Sequence, residues 1–175
     1  MAIRDRLDAI EADITTLTVD AIVNAANSAL IAGGGVDGAI RKRAGTDLDE
    51  ELRGIGSCEE GNAVITSGYR LPAAYVIHTV APIWAGKRAS GQDAVLARCY
   101  ETALTLAESN NVRSIAFPAI GTGAYRWPAD VAAKIAFDAV VRHLRKSEVP
   151  AAVTFCCFSR VDRERYTDMI AAVRD

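Results

Sequence analysis

Apolar and polar positions along this chain form two kinds of run that alternate from end to end. Strand-like runs lie at residues 6–11, 21–24, 63–67, 75–80, 114–118 and 152–158. Those at 114–118 and 153–158 are nearly continuous in apolar or small residues, the pattern of strands covered on both faces. Helical spacing marks residues 38–52, 93–110, 129–146 and 163–173. In the third of these, Val131, Ile135, Phe137, Val141 and Leu144 recur at the period of a helix with one buried face. Pro128 is placed for its first turn, where a missing N–H is not needed. Arg142, Arg145 and Lys146 suit the negative end of its dipole, and Pro150 stops it and hands the chain to the next strand. This alternation predicts three layers, α/β/α, around a mixed, largely parallel sheet. In such sheets ligands lie in the crevice beyond the carboxyl ends of the strands.

Composition narrows the function classes. The chain has 175 residues, an ordinary length for one domain. No apolar run approaches the roughly 20 residues of a membrane-spanning helix. Met1-Ala2-Ile3-Arg4-Asp5-Arg6 turns charged at once, unlike a signal peptide. A soluble, cytoplasmic domain without a membrane partner is expected. The formal net charge is -2, without the clustered Lys and Arg that displace counterions from nucleic acid, so nucleic acid is not an expected partner. Cys58, Cys99, Cys156 and Cys157, with two histidines, match no zinc spacing. The cysteines read as small buried hydrophobes, with Cys156 and Cys157 on opposite faces of a strand. No metal and no cofactor are expected.

Candidate chemistry gathers in loops that follow strands. Asn24-Ala25-Ala26-Asn27 leads through a spacer to Gly33-Gly34-Gly35-Val36-Asp37-Gly38. Gly33, Gly35 and Gly38 satisfy the dinucleotide pattern G-x-G-x-x-G, but residues 27–32 intervene between strand and glycines, and the following acids at 47–51 fall in a helix-like stretch. A nicotinamide-binding fold needs a tight turn straight from the strand into the glycines and an acid ending a second strand, so the pattern reads as a decoy. What remains is a glycine segment feeding a helix start, whose N–H groups suit a pyrophosphate. Asp37 is then either a helix cap or a group facing the ligand. Gly121-Thr122-Gly123-Ala124-Tyr125 follows a second strand and offers a second phosphate loop, with Tyr125 placed to cover a sugar; a plain strand-to-helix connection is the alternative. Asp13, in Asp13-Ile14-Thr15, reads as a turn cap or as an acceptor for an exocyclic amine. His78 lies in a strand pattern and reads as a buried, hydrogen-bonded histidine; His143 reads as part of a solvated helix face.

These segments, taken in order, resemble a macrodomain of the MacroD type. The resemblance is carried by Asp13-Ile14-Thr15, Val19-Asp20-Ala21-Ile22-Val23-Asn24-Ala25-Ala26-Asn27-Ser28 and Gly33-Gly34-Gly35-Val36-Asp37-Gly38-Ala39-Ile40. It continues in Gly68-Tyr69-Arg70-Leu71-Pro72, Val76-Ile77-His78-Thr79-Val80, Phe117-Pro118-Ala119-Ile120 and Thr122-Gly123. It runs over nearly the whole chain and implies one macrodomain over residues 1–175.

The resemblance implies an ADP-ribose cleft. Asp13 would bind the adenine amine, the Ile14 backbone the base, and Phe158 would lie against the adenosine end. Gly33, Gly34, Gly35 and Val36 would wrap the diphosphate from one side, and Gly121, Thr122, Gly123, Ala124 and Tyr125 from the other. Asn24 is counted with the ligand contacts. Asn27 would hold the distal ribose and Asp37 would sit beside its reactive end. The implied activity is metal-independent hydrolysis of acyl esters of that ribose, from O-acetyl-ADP-ribose or from Asp and Glu side chains of mono-ADP-ribosylated proteins. Asp37 would position or deprotonate the water; alternatively a ligand phosphate activates it and Asp37 orients. A reader that binds ADP-ribose without cleaving it is the rival. Several positions depart from the family pattern: Ala12 and Ala32 stand for glycines, Arg41 for a histidine, Gly121 for a serine and Arg126 for a glycine.

Overall fold

The computed structural model describes residues 1–174. Six strands, β1 (Leu7–Glu11), β2 (Ala21–Ala25), β3 (Ala63–Ser67), β4 (Tyr75–Thr79), β5 (Ser114–Phe117) and β6 (Ala152–Cys157), form one sheet in the order β1-β6-β5-β2-β4-β3. Only the β3–β4 pair is antiparallel; β1–β6, β5–β6, β2–β5 and β2–β4 are parallel. Five helices cover it: α1 (Gly35–Ala44), α2 (Thr46–Ile55), α3 (Ser90–Ser109), α4 (Ala129–Leu144) and α5 (Arg160–Ala172).

Side chains alternate across the sheet, and this builds two cores. Val23, Ile77, Ile115, Phe117 and Phe155 pack with Tyr100, Leu104, Phe137, Val140 and Tyr166 beneath α3, α4 and α5. Ile22, Val76 and Ala116 point the other way and pack with Ile40, Ala44, Leu48 and Leu52 of α1 and α2. Cys157 belongs to the first core and Cys156 to the second, so these neighbours do face opposite sides. All four cysteines are free and buried. The fold is a three-layer α/β/α sandwich.

The single helix expected over residues 38–52 is two. Gly45 breaks it with φ 92° and ψ 179°, a conformation that a Cβ makes costly, while its N–H still donates to Arg41 O to close α1. The start also lies earlier, at Gly35, because sequence patterning gives no helical credit to glycines. Pro128 proves to be the N-cap of α4 rather than a first-turn residue. Ser159 caps α5 by accepting from the Asp162 N–H, which starts that helix three residues before the expected position.

Strand order fixes where a ligand can bind. β2 and β5 are hydrogen-bonded neighbours, yet the chain leaves β2 toward the β4–β3 edge and leaves β5 toward β6. Their loops part at a topological switch point, which opens a crevice at the carboxyl end of the sheet. Both glycine loops follow these two strands.

Candidate functional site

A cavity of about 430 Å³ opens at that edge, lined by Glu11, Ala12, Asp13, Ile14, Gly35, Val36, Ala39, Pro118, Cys156, Cys157 and Phe158. One wall comes from the end of β1 and the turn after it, one from the start of α1, and the floor from the ends of β5 and β6. Phe158, just past β6, is 76% exposed and forms a free aromatic lip. Asp13 is the N-cap of a 3-10 turn at Ile14–Thr16. Its Oδ1 accepts from Thr15 N at 2.9 Å and from Thr15 Oγ1 at 2.7 Å. The Thr15 side-chain bond, then the Thr15 backbone bond, hold the Asp13 carboxyl below its usual range. The turn-cap reading of Asp13 is thus what the structure shows, with Oδ2 left outside the Thr15 bonds. Burial, then the charge of Asp13, pushes the Cys156 thiol up to about 11. The floor of the cavity is therefore a neutral surface and not a thiolate nucleophile.

At its first turn α1 has Gly34 as N-cap, with no side-chain cap bond. A helix start leaves its first N–H groups without partners inside the helix and carries the positive end of the dipole. Here Gly35 and Val36 bring that end to the cavity wall.

Behind the glycines lies a buried polar chain. The Asp37 carboxylate accepts from Gly33 N at 2.7 Å, Asn24 Nδ2 at 2.7 Å and Arg41 Nε at 2.9 Å. Asp37 and Arg41 side chains are 6% and 8% exposed. Arg41 also donates to Leu30 O at 2.9 Å and Asp49 Oδ1 at 2.5 Å. One guanidinium thus ties Leu30, three residues before Gly33, the carboxylate after the glycines and the first turn of α2. The break at Gly45 is what brings Asp49 back beside Arg41. Asp37 is not the N-cap of α1; it sits in the first turn and reaches back over the loop to Gly33.

Asn24, expected among the ligand contacts, is fully buried and stands behind the cleft. Its Nδ2 group bridges Asp37 Oδ1 and His78 Nδ1, the latter at 3.1 Å. This assigns the acceptor role to Nδ1, so Nε2 carries the proton and donates to Thr66 Oγ1 at 2.9 Å. His78 is therefore a core histidine, as its strand pattern suggested. Burial lowers its pKa to about 4, against the pull of Asp37 and with a further push from Arg41. Because the unfolded chain protonates this histidine near 6.5, its contribution to stability is complete above pH 6.5 and is lost as the pH falls toward 4. At pH 5 the loss is about 2 kcal/mol, or about 4–8 °C in Tm. Thermal melts across pH 7.5–4.5 are expected to show this fall, and His78→Gln to flatten it; a flat wild-type curve would contradict the assignment.

His143 departs from expectation. It is half-buried, and Nε2 donates to Val149 O at 2.9 Å, tying α4 to the approach of β6 rather than lying in solvent.

Asn27 turns both ends of its amide to Ile31: Nδ2 donates to Ile31 O at 2.8 Å and Oδ1 accepts from Ile31 N at 3.1 Å. A Cβ built on Gly33 would lie 3.4 Å from Asp37 Oδ2 and 3.7 Å from Asn27 Nδ2, so these groups meet at one point of the loop. On the facing loop, Thr122 Oγ1 donates to Ala119 O, Gly123 and Ala124 are exposed and Tyr125 is half-buried. Gly121 has φ 86°, and a Cβ there would stand 2.8 Å from Trp127 Cδ1. The departure from serine is thus required by Trp127, whose Nε1 donates to Pro82 O. A Gly121→Ser variant is expected to lose about 2 kcal/mol from left-handed backbone strain and overpacking, lowering Tm by about 4–8 °C. An unchanged melt would contradict this account of the loop.

A ligand cleft at the switch point of a parallel sheet, with an uncapped glycine helix start in its wall, marks an α/β domain of the nucleotide-binding class. Residues 23–136 match the Macro domain family. Over 170 residues the chain is 48% identical to a macro domain-containing protein of Mesorhizobium japonicum, covering 97% of this chain and 96% of that one. It is 46% identical over 167 residues to the ADP-ribose glycohydrolase MACROD2 of Homo sapiens, covering 94% of this chain and 39% of that protein, so it spans about two fifths of that relative. It matches the Oceanobacillus iheyensis macrodomain with ADP at a TM-score of 0.91 and 37% identity, covering 98% of this chain and 93% of that one. This chain belongs to the macrodomain family.

Proposed function

We propose that the cleft binds ADP-ribose and that the protein hydrolyses acyl esters of its distal ribose. The observation that carries the reading is the uncapped start of α1 at the wall of the cavity, with Asp13 and Phe158 at one end and Asn27, Gly33 and Asp37 clustered beyond the glycines. The names of two relatives support it: one is an ADP-ribose glycohydrolase, the other a macrodomain with ADP.

In this reading Asp13 Oδ2 accepts from the adenine amine and Phe158 covers the base. The diphosphate lies between the start of α1 and the loop Gly121-Thr122-Gly123-Ala124, with Tyr125 on the distal ribose. Asn27 keeps one amide hydrogen and one lone pair beyond its Ile31 bonds, enough to hold a ribose hydroxyl. Water adds to the acyl carbonyl and gives its proton to a ligand phosphate. The tetrahedral adduct then collapses, the ribose oxygen leaves and takes a proton, and a carboxylic acid and ADP-ribose are released. Asp37 has three donors on its carboxylate, which favours the orienting role over proton abstraction. Positioning of this kind supplies a large share of a barrier reduction. The step uses no metal, so turnover is expected to persist in EDTA.

Incubation with O-acetyl-ADP-ribose and with a glutamate-ADP-ribosylated protein tests the reading, alongside calorimetry with ADP-ribose. Turnover of either ester supports it. Binding without turnover of both would make the protein a reader of ADP-ribose, and absence of binding would remove the cleft assignment.

A further inference from the structure

The same carboxyl edge of the sheet carries a second surface, beside the cleft, formed by the segment after β4. Residues 80–91 emerge next to the glycine loop, since Ala26 N donates to Thr79 O at 2.9 Å. The segment is fastened to the facing loop: Trp84 N donates to Tyr125 O at 2.9 Å, and the Trp84 and Trp127 rings lie 4.9 Å apart. From α3, Gln92 donates to Ile83 O and accepts from Ala85 N. The backbone on both sides of Ile83 is therefore pinned, yet its side chain is 62% exposed. Ile31 on the neighbouring loop repeats the arrangement, pinned by Asn27 and 63% exposed. Exposed isoleucines on fixed backbone are presented surface, not loose chain ends.

Charge around them is one-sided. The full chain has 22 acids against 20 Lys and Arg, yet residues 80–91 and 118–129 contain Lys87, Arg88 and Arg126 and no acid. Arg88 is paired with Asp93, which leaves Lys87 and Arg126 as exposed cations. Arg126 holds φ 62°, a conformation that glycine would adopt without strain. Of the acids nearest these windows, Asp93 is taken up by Arg88 and Asp130 lies in the first turn of α4, while Glu59 and Glu60 stand on the β3 side beside Arg98, where Cys58 N donates to Ser28 O and Gly61 N to Val80 O.

We propose that Ile83, Lys87 and Arg126 form a docking surface for the polypeptide that carries the ADP-ribose, and that it favours a modified residue flanked by acidic side chains. The inference rests on the esterase reading and names the substrate class within it. A peptide leaving the distal ribose beside Tyr125 meets Ile83 and the two cations first. Exposed charge pairs act on encounter and are worth a factor of a few each.

The test compares three substrates of the full chain: O-acetyl-ADP-ribose and two peptides ADP-ribosylated on one glutamate, flanked by aspartates or by lysines. The acidic peptide is expected to have at least a fivefold higher kcat/KM at low salt, and the advantage should shrink at high salt. Lys87→Glu should abolish the preference and Ile83→Ser should lower kcat/KM for both peptides, each leaving O-acetyl-ADP-ribose within twofold of wild type. Equal use of the two peptides, or equal losses on the small ester, would overturn the docking surface. If no ester is cleaved, the hydrolase reading fails instead, and affinities for the same peptides decide: tighter binding of the acidic one sustains the surface, equal binding overturns it.

Discussion

Asp37→Ala is expected to lower ester turnover by at least 10²-fold and ADP-ribose affinity by at least tenfold. The variant removes the acceptor of Gly33 N, Asn24 Nδ2 and Arg41 Nε at once. The Arg41 guanidinium keeps Asp49 and Leu30 O but loses its buried carboxylate partner. Breaking a buried pair from one side costs about 3–5 kcal/mol where the remaining charge has no partner, and the Asp49 pair keeps the cost here toward the lower end. The Gly33 amide loses its anchor, so the start of α1 no longer holds the diphosphate in one geometry. Asp37→Asn separates positioning from proton abstraction should the alanine variant fold poorly. It keeps the shape but turns an NH2 group toward at least one of the three donors. The positioning account predicts that ADP-ribose affinity falls along with kcat. A carboxylate acting only as base predicts loss of kcat with affinity unchanged, and calorimetry beside steady-state rates tells the two apart.

The second large effect is expected at Arg41. Arg41→Met leaves the Asp37 carboxylate buried without its counter-charge and removes the donor to Leu30 O. A loss of about 3 kcal/mol follows from the same principle, or about 6–12 °C in Tm. Turnover should drop roughly tenfold as the loop between Leu30 and Asp37 loses its tie, an order set by the sensitivity of catalysis to small misplacements. Arg41→Lys is expected to recover only part of either, because an ammonium is a point charge and cannot fork to three acceptors. An Arg41→Met protein with wild-type melt and turnover would remove this residue from the account.

Much of this was legible in the chain itself, and the reasons differ by element. The run of β5 stands where apolar composition placed it, because a strand buried at Ile115, Ala116 and Phe117 leaves little choice of residue; β3, a mostly half-buried edge strand, was marked by its β-branched residues Val64, Ile65 and Thr66. The division of α1 from α2 was not, since helical spacing continues through Gly45 and only the left-handed backbone there ends the first helix. The glycine loops announce themselves by composition. The clasp at Arg41 does not: two of its partners, Leu30 O and Asp49, are brought by the fold, although its i, i+4 spacing from Asp37 was a signal. Asn24 stood in an all-buried strand run, and an amide there is more readily a strut than a ligand contact. His143 misled because its neighbours Arg142, Arg145 and Lys146 are exposed, while its own ring turns in toward Val149 O.

The claim at the centre of the account is that the bond broken is the acyl ester of the distal ribose. Hydrolysis of O-acetyl-ADP-ribose in water enriched in oxygen-18, followed by mass spectrometry of both products, tests it. The account predicts one labelled oxygen in acetate and none in ADP-ribose. Label in the ribose, or no acetate released above the uncatalysed rate, would contradict it.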